Sequence, residues 1–299
     1  MKVNGATISG IFTEFTTRFN AMYKAQAAMH PAFAMEIPSN TAIQVHAWMD
    51  SVPGVREWVG PRHIRDVQGV GYSLENKKWE GTIGLLRTDV EDDQIGLYGP
   101  KVDMLAYNAA VHPDILFANL LKDNGTCYDG TAFFGTHSWR GNTSVSNTTG
   151  AALDETSLNA AIQALIENVA TTGANNEAPL IMNPEFQIVH GPALRAKVLE
   201  LVEAEFNSMG ASNINYKIAE PLLIPNLTGT YANYWFVLIK NAPVKPFIFQ
   251  PRTSGELTQM SDPTDENVFM RDEFLYGWRR RYAAGYGLWQ LAYRSTGGN

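Results

Sequence analysis

Three groups of residues have types and spacings that chemistry can use. Cys127, Asp129 and His137 fall together in TCYDGTAFFGTH. A thiol, a carboxylate and an imidazole are the parts of a cysteine-dependent hydrolase, with nucleophile, base and orienting group. Such a thiol needs a helix N-terminus or a neighbouring cation to lower its pKa, and this segment supplies neither that nor a nucleophile elbow. A buried, loop-packing cysteine is the expected role. The second group is the acidic knot Asp89, Glu91, Asp92 and Asp93, where residues 89, 91 and 93 match positions one, three and five of a calcium loop. Gln94 then stands where glycine is required, and Pro100 where a bidentate glutamate closes the site. Asp92 and Asp93 are instead expected to cap the helical region that follows, where a negative charge gains ~0.3–1 kcal/mol. The third group is Arg279-Arg280-Arg281, set between Trp278 and Tyr282. Strand alternation splits it between two faces, and pairing with carboxylates is expected rather than phosphate binding. The six histidines lack the short pair spacing of zinc sites, and neither GxGxxG nor GxxxxGK[ST] occurs. No catalytic, metal or cofactor site is expected.

The elements that must position these groups belong to a chain of 299 residues, long enough for one elaborate domain or two interleaved ones. With 45% hydrophobic and 18% charged residues it is a folding composition. A net charge of −7 argues against wrapping nucleic acid, since phosphate affinity comes from a basic excess. One cysteine excludes an intramolecular disulfide and points to a reducing compartment. Met1 to Asn20, with Lys2, Glu14 and Arg18, does not read as a secretory signal, and no stretch approaches the ~20 apolar residues of a membrane span. Sequons at Asn142, Asn147 and Asn226 would matter only in a secreted eukaryotic protein.

Along the chain, Phe12, Phe15, Phe19, Met22 and Tyr23 recur at helical spacing between Gly10 and Met29, and His30-Pro31 ends that helix. An extended Glu36-Ile37-Pro38 precedes Ser39, read as the N-cap of a short helix through Trp48, and a second small helix or turn spans Val55 to Val59. Pro61 to Val90 is strand-rich. Tyr72 and Leu74 alternate with Ser73 and Glu75; after Asn76-Lys77-Lys78, Trp79, Gly81, Ile83 and Leu85 form an apolar face against Glu80, Thr82 and Gly84. That pattern suits a hairpin or meander, and because a lone hairpin is marginal in water, another subunit is its expected support. Pro100 to Leu121 is the longest predicted helix, with Val102, Leu105, Ala109, Leu116, Phe117 and Leu120 on its apolar face, a kink or handover at His112-Pro113, and a stop at Asp123-Asn124-Gly125.

Thr126 to Gly150 reads as a long ordered loop with short strands and a candidate contact surface. A helix from Asp154 to Asn168 carries the stripe Leu158, Ile162, Leu165 and Ile166, followed by a buried strand Pro179 to Met182 and a strand Phe186 to His190. Pro192 opens a helix from Ala193 to Phe206. Further strands are predicted at Tyr216 to Ile224, Tyr234 to Ile239 and Pro246 to Phe249. Asn267 to Ser295 reads as two antiparallel strands that bend or bulge at Gly277, Gly285 and Gly287. No fixed-period repeat appears, and the class is α+β.

Several motifs stand in a recognisable order: AMEIPSNT (Ala34 to Thr41), AWMDSVPGVREWVG (Ala47 to Gly60), NKKWEGTI (Asn76 to Ile83), VEDDQIGLYGP (Val90 to Pro100), HPDILFANLL (His112 to Leu121) and CYDGTAFFGTH (Cys127 to His137). LIMNPEF (Leu180 to Phe186) and the Gly277 to Tyr293 tail continue them more loosely. Together they resemble the major head proteins of bacteriophage Mu and Mu-like prophages. The resemblance implies the Hong Kong 97-like capsid fold. Its expected parts are an N-terminal arm reaching sideways (1–34), the start of the peripheral domain (35–60), an extended loop (61–90), the peripheral domain with its spine helix (91–178), an axial domain (179–240) and C-terminal peripheral strands (241–299).

It further implies a structural subunit, not an enzyme, that assembles into hexamers and pentamers of an icosahedral head around double-stranded DNA. Intersubunit contact candidates are Tyr72, Leu74, Lys77, Lys78, Trp79, Glu80, Ile83, Arg87, Asp92 and Asp93. Expected partners are further copies of the chain and the decoration, scaffold, portal and maturation-protease proteins of a phage, with DNA met only by non-specific proximity and no membrane. The expected location is the virion head after synthesis in the host cytoplasm. No cofactor is implied. Some capsids of this fold carry a Lys–Asn crosslink; Lys77 and Lys78 lie in the candidate loop, and no such bond is expected here. The alternatives are a hydrolase using Cys127 and His137, or a decoration or tail-tube module.

Overall fold

The computed structural model describes residues 5–50, 71–92, 94–139, 142–174, 178–207, 210–262 and 264–298. In chain order the elements are α1 (Gly5–Ala25), β1 (Ala34–Glu36), β2 (Ile43–His46), β3 (Tyr72–Glu75), β4 (Lys77–Leu86), α2 (Arg87–Glu91), α3 (Gly99–Asp123), β5 (Thr136–Trp139), β6 (Asn142–Ser146), β7 (Thr148–Thr149), α4 (Glu155–Ala174), β8 (Phe186–His190), α5 (Arg195–Val202), β9 (Ala219–Leu223), β10 (Trp235–Ile239), β11 (Phe247–Pro251), β12 (Glu256–Met260), α6 (Glu266–Arg271), β13 (Glu273–Tyr286) and β14 (Ala292–Ser295). The class is α+β, as the sequence indicates.

β13 organises the first sheet. Its 14 residues pair with β12 near its start and β11 near its end along one edge, and with the whole of β4 along the other. β1 adds in parallel beyond β11. The second sheet has the order β7-β14-β10-β8-β9, and its central strands β8 and β10 are buried at every position; β10 reads as a continuous apolar run, whereas β8 also buries Gln187 and His190. The chain passes from β13 to β14 through a 3-10 turn at Trp289–Leu291. The tail's two strands therefore lie in different sheets and do not pair with each other, which corrects the sequence expectation.

α3, 25 residues long, lies across β4 and β13. Leu105 packs against Gly81, where a Cβ would come within 2.6 Å of it. Further along, the His112 ring lies tilted against Trp79, 4.3 Å between centroids, and bonds the Tyr282 hydroxyl through Nδ1 (2.6 Å). The helix runs unbroken through His112-Pro113. The proline forfeits one bond to the Ala109 carbonyl, and burial of Ala109, Pro113 and Phe117 on the sheet side holds the helix across that gap. Asn124 stops it in the left-handed conformation (φ 47°), its side chain bonding the Phe134 backbone at both N–H and C=O.

α1 starts and ends earlier than its spacing indicates. It folds back onto α3 and β13 through Phe12 and Phe15 on Tyr276 and a two-pronged Arg18–Asp103 pair (2.7 and 2.6 Å). Ser39 does not cap a helix; the chain after it forms β2, and Ser39 is buried in a polar network. Residues 179–182 form no strand, and Met182 is 86% exposed. On α4 Ile166 is exposed, and Val169 continues the buried stripe. α5 is shorter than expected, and a 3-10 turn at Pro192–Leu194 takes up its start. No bulge occurs at Gly277 or Gly285, since β13 pairs without a register shift, and Gly285 and Gly287 instead accommodate close approach. A Cβ at Gly285 would meet Leu74 and the Tyr72 hydroxyl at 3.0 Å, and one at Gly287 would meet the Lys245 carbonyl at 2.7 Å. Val55 to Val59 and residues 61–70 lie outside the described residues.

Candidate assembly surface

Residues Tyr72 to Leu86 do not form a hairpin of their own. β3 pairs with β2, in register Ile43↔Glu75 to His46↔Tyr72, while β4 pairs with β13. The residue between them, Asn76, is the hub of a buried polar network. Its Nδ2 donates to Ser39 Oγ (3.0 Å) and the Thr41 carbonyl (2.9 Å). Gln250 Nε2 donates to the Leu74 carbonyl (3.2 Å) and Asn76 Oδ1 (3.0 Å), so Gln250 Oε1 is left to accept from His46 Nε2 (2.9 Å). His46 Nδ1 then accepts from the Trp48 indole (3.4 Å). Because every buried polar group here meets a partner, the root of the β2–β3 hairpin is fixed to the first sheet. Ile43 and Val45 on the hairpin's outer face are more than half exposed.

β4 has the two faces its sequence indicates, but the apolar one serves this subunit. Trp79 donates its indole N–H to the Tyr282 carbonyl (3.1 Å), Ile83 packs against the core, and Leu85 is fully buried. Tyr72 and Leu74 also turn inward, the Tyr72 hydroxyl accepting the Tyr286 N–H (3.1 Å). Within the subunit, the apolar alternation packs against its own chain. Lys77, Lys78, Glu80 and Asp92 are exposed. Arg87 pairs with Glu91 (3.2 Å) and Asp272 (3.7 Å). Asp93 lies outside the described residues.

Asp92 does not cap α3. Asp92 closes α2, its N–H donating to the Thr88 carbonyl, and the first turn of α3 has neither an acidic residue nor a side-chain cap. Asp89 accepts the Tyr98 hydroxyl. In the arginine run the alternation holds. Arg279 lies between Glu80 and Glu256 in register. Arg280 faces the other way, bonding the Tyr23 hydroxyl (2.8 Å) over the rings of Phe249 and Tyr282. For Arg280, aromatic groups take the place of the expected carboxylate.

Among the described residues, the side chains close enough to share a metal are Cys127, Asp129 and His137, with ligand-type atoms within 4.8 Å of one another. They form a closed hydrogen-bond knot. Asp129 accepts the thiol (3.0 Å) on one oxygen and His137 Nδ1 (2.6 Å) on the other, and the Thr131 N–H (2.9 Å) besides. His137 stacks flat on Trp289, at 3.9 Å and 2°. Burial and the hydrogen bond to Asp129 push the Cys127 thiol up, so it holds its proton at neutral pH, the reverse of an activated nucleophile. Iodoacetamide at pH 8 is accordingly expected to leave Cys127 unlabelled in the folded protein and to label it in urea, as read by intact-mass spectrometry.

Residues 8–156 and 222–298 match the family described as Mu-like prophage major head subunit gpT. The chain belongs to this family of Mu-like major head subunits. It is 30% identical over 295 residues to the major capsid protein of Escherichia phage Mu, covering 98% of this chain and 74% of that protein. The subunit of the bacteriophage JBD30 procapsid is similar in structure, with TM-score 0.60 and 29% identity over 98% of this chain and 76% of that one. A subunit of the JBD30 capsid decorated with minor capsid protein trimers gives TM-score 0.52 and 20% identity, over 89% of this chain and 63% of that one. The fold is the Hong Kong 97-like capsid fold, and the role is that of a major capsid protein of a Mu-like phage. For a head subunit, exposed apolar side chains such as Ile43 and Val45 are the informative ones. Their alternation is visible in IQVH, but four residues beside a helix-like neighbourhood give too short a signal to read.

Proposed function

We propose that the chain closes into hexamers and pentamers of an icosahedral head around double-stranded DNA, with other copies of itself as its main partners. The observation that carries this is the match to the head-subunit family across residues 8–156 and 222–298. In this reading the first sheet with α1 and α3 is the peripheral domain, residues 179–240 are the axial domain, and the β2–β3 hairpin is the root of the extended loop. Lys77, Lys78, Glu80 and Asp92 are contact residues on its exposed side, joined by Ile43 and Val45. A subunit needs large contacts whose rotation closes, and projecting hairpins add contact area without enlarging the core.

The role is structural and not enzymatic, a reading supported by the protonated Cys127 thiol. The net charge of −7 favours a wall that meets DNA without gripping it. Decoration proteins are proposed partners by likeness to the decorated JBD30 capsid, and scaffold, portal and maturation-protease proteins complete the set; the place of work is the virion head. Sedimentation and electron microscopy of the purified protein are expected to give rings and closed shells, and denaturing electrophoresis of those shells a single-chain band without a Lys–Asn crosslink. Monodisperse monomers under every assembly condition would contradict the proposal. Cys127→Ala is expected to leave shell formation intact.

A further inference from the structure

The charges least accounted for lie beside the root of the β2–β3 hairpin. Arg281 stands opposite Lys78 in the β13–β4 register, so the two share one face of the sheet, while Arg280 and Trp79 take the face that α3 covers. The Arg252 N–H donates to the Arg281 carbonyl (3.0 Å), which sets a second arginine beside the first. Asn76 and Gln250, hydrogen-bonded to each other at 3.0 Å, come two residues before Lys78 and Arg252 and tie their backbones together. Among the described residues, Lys78, Arg252 and Arg281 form no ion pair. Arg252 Nη1 and Arg281 Nε are buried and have no hydrogen-bond partner. Burying a cation without an opposite charge is costly, and an unpartnered buried donor calls for a physical reason.

We propose that Lys78, Arg252 and Arg281 bind a single small oxyanion of the phosphate class. A guanidinium fork matches phosphate oxygens two at a time, and the exposed Lys78 ammonium adds a point charge at the rim. Both arginines are only partly exposed, so their charges are screened less by water than those of a surface pair. The flanks limit the ligand to one small anion. On the same face Arg279 is set between Glu80 and Glu256. Successive phosphates of a nucleic acid would run into those acids, whereas a lone phosphate stops short of them. For Arg281 this replaces the carboxylate pairing expected from sequence. The ligand would join β4, β13 and the segment after β11, and its binding is a property of the single subunit, independent of how copies assemble.

The test titrates inorganic phosphate into the unassembled chain at pH 7 and constant ionic strength, with chloride as the exchanged anion, and follows it by calorimetry and thermal unfolding. One site per chain is expected, with Tm rising by about 2 °C for each tenfold increase in phosphate above Kd. Arg252→Gln combined with Arg281→Gln is expected to abolish both signals, and Lys78→Gln, at an exposed side chain, to weaken binding about two- to fivefold. Should the double variant misfold, Arg281→Lys decides: it keeps the charge but loses the fork, and binding about tenfold weaker is expected. No phosphate binding by the unaltered chain, or equal binding by the unaltered chain and these variants, would overturn the proposal. So would variants that lose closed shells although the unassembled chain never binds phosphate, a result that would give the arginines to a carboxylate of a neighbouring copy.

Discussion

Phe117→Ala is expected to destabilise the subunit by about 3–5 kcal/mol, the cost of deleting a fully buried aromatic ring and leaving its cavity. Phe117 has no exposed surface, and its ring meets His30 and Phe33 from the segment after α1, and Phe247 and Phe249 from β11. One side chain therefore joins the long helix, the chain before β1 and the first sheet. Urea unfolding of the unassembled subunit at pH 7, followed by circular dichroism, measures the effect. A loss below about 1 kcal/mol would mean that these three elements do not share one rigid core.

The second large effect is expected at the loop knot. Asp129→Ala removes the acceptor for Cys127, His137 and the Thr131 N–H together, and breaking a buried pair from one side costs about 3–5 kcal/mol. The knot also has a pH signature. Burial pushes the Asp129 carboxyl up, but the bonds from His137, Cys127 and Thr131 outweigh it and hold the group below the usual carboxylate range. Asp114 behaves alike: burial opposes, and the His30 side chain with the Met29 and His30 N–H groups prevails. A carboxyl depressed in the folded state stabilises fully above its unfolded pKa of ~4, and that contribution is lost as pH falls below it. Unfolding free energy is therefore expected to drop from about pH 4 downward, and less steeply in Asp129→Ala. An equal acid slope in both proteins would remove Asp129 from this account.

What could be read from sequence was what a single element decides. The helical spacing of α3, the two faces of β4 and the apolar run of β10 all follow from local pattern. What could not be read was pairing. Ile43 to His46 forms a strand because Tyr72 to Glu75 lies beside it, far along the chain, and nothing in IQVH itself names that partner. β13 and β14 look alike in composition, yet the turn between them sends them to different sheets. The site followed the same rule. The neighbourhood of Cys127, Asp129 and His137 was legible, since one short loop carries all three. The direction of the thiol's shift was not read from composition, because it depends on burial and on the carboxylate that receives its proton.

The most direct measurement is a residue-level electron-microscopy reconstruction of particles assembled from the purified chain. The expected result is a closed icosahedral shell in which β4 pairs with β13 of its own subunit while the β2–β3 hairpin lies over a neighbour. Particles in which β4 leaves its own β13 would contradict the self-contained body described here, and a chain that never passes beyond monomers would contradict its role in a shell.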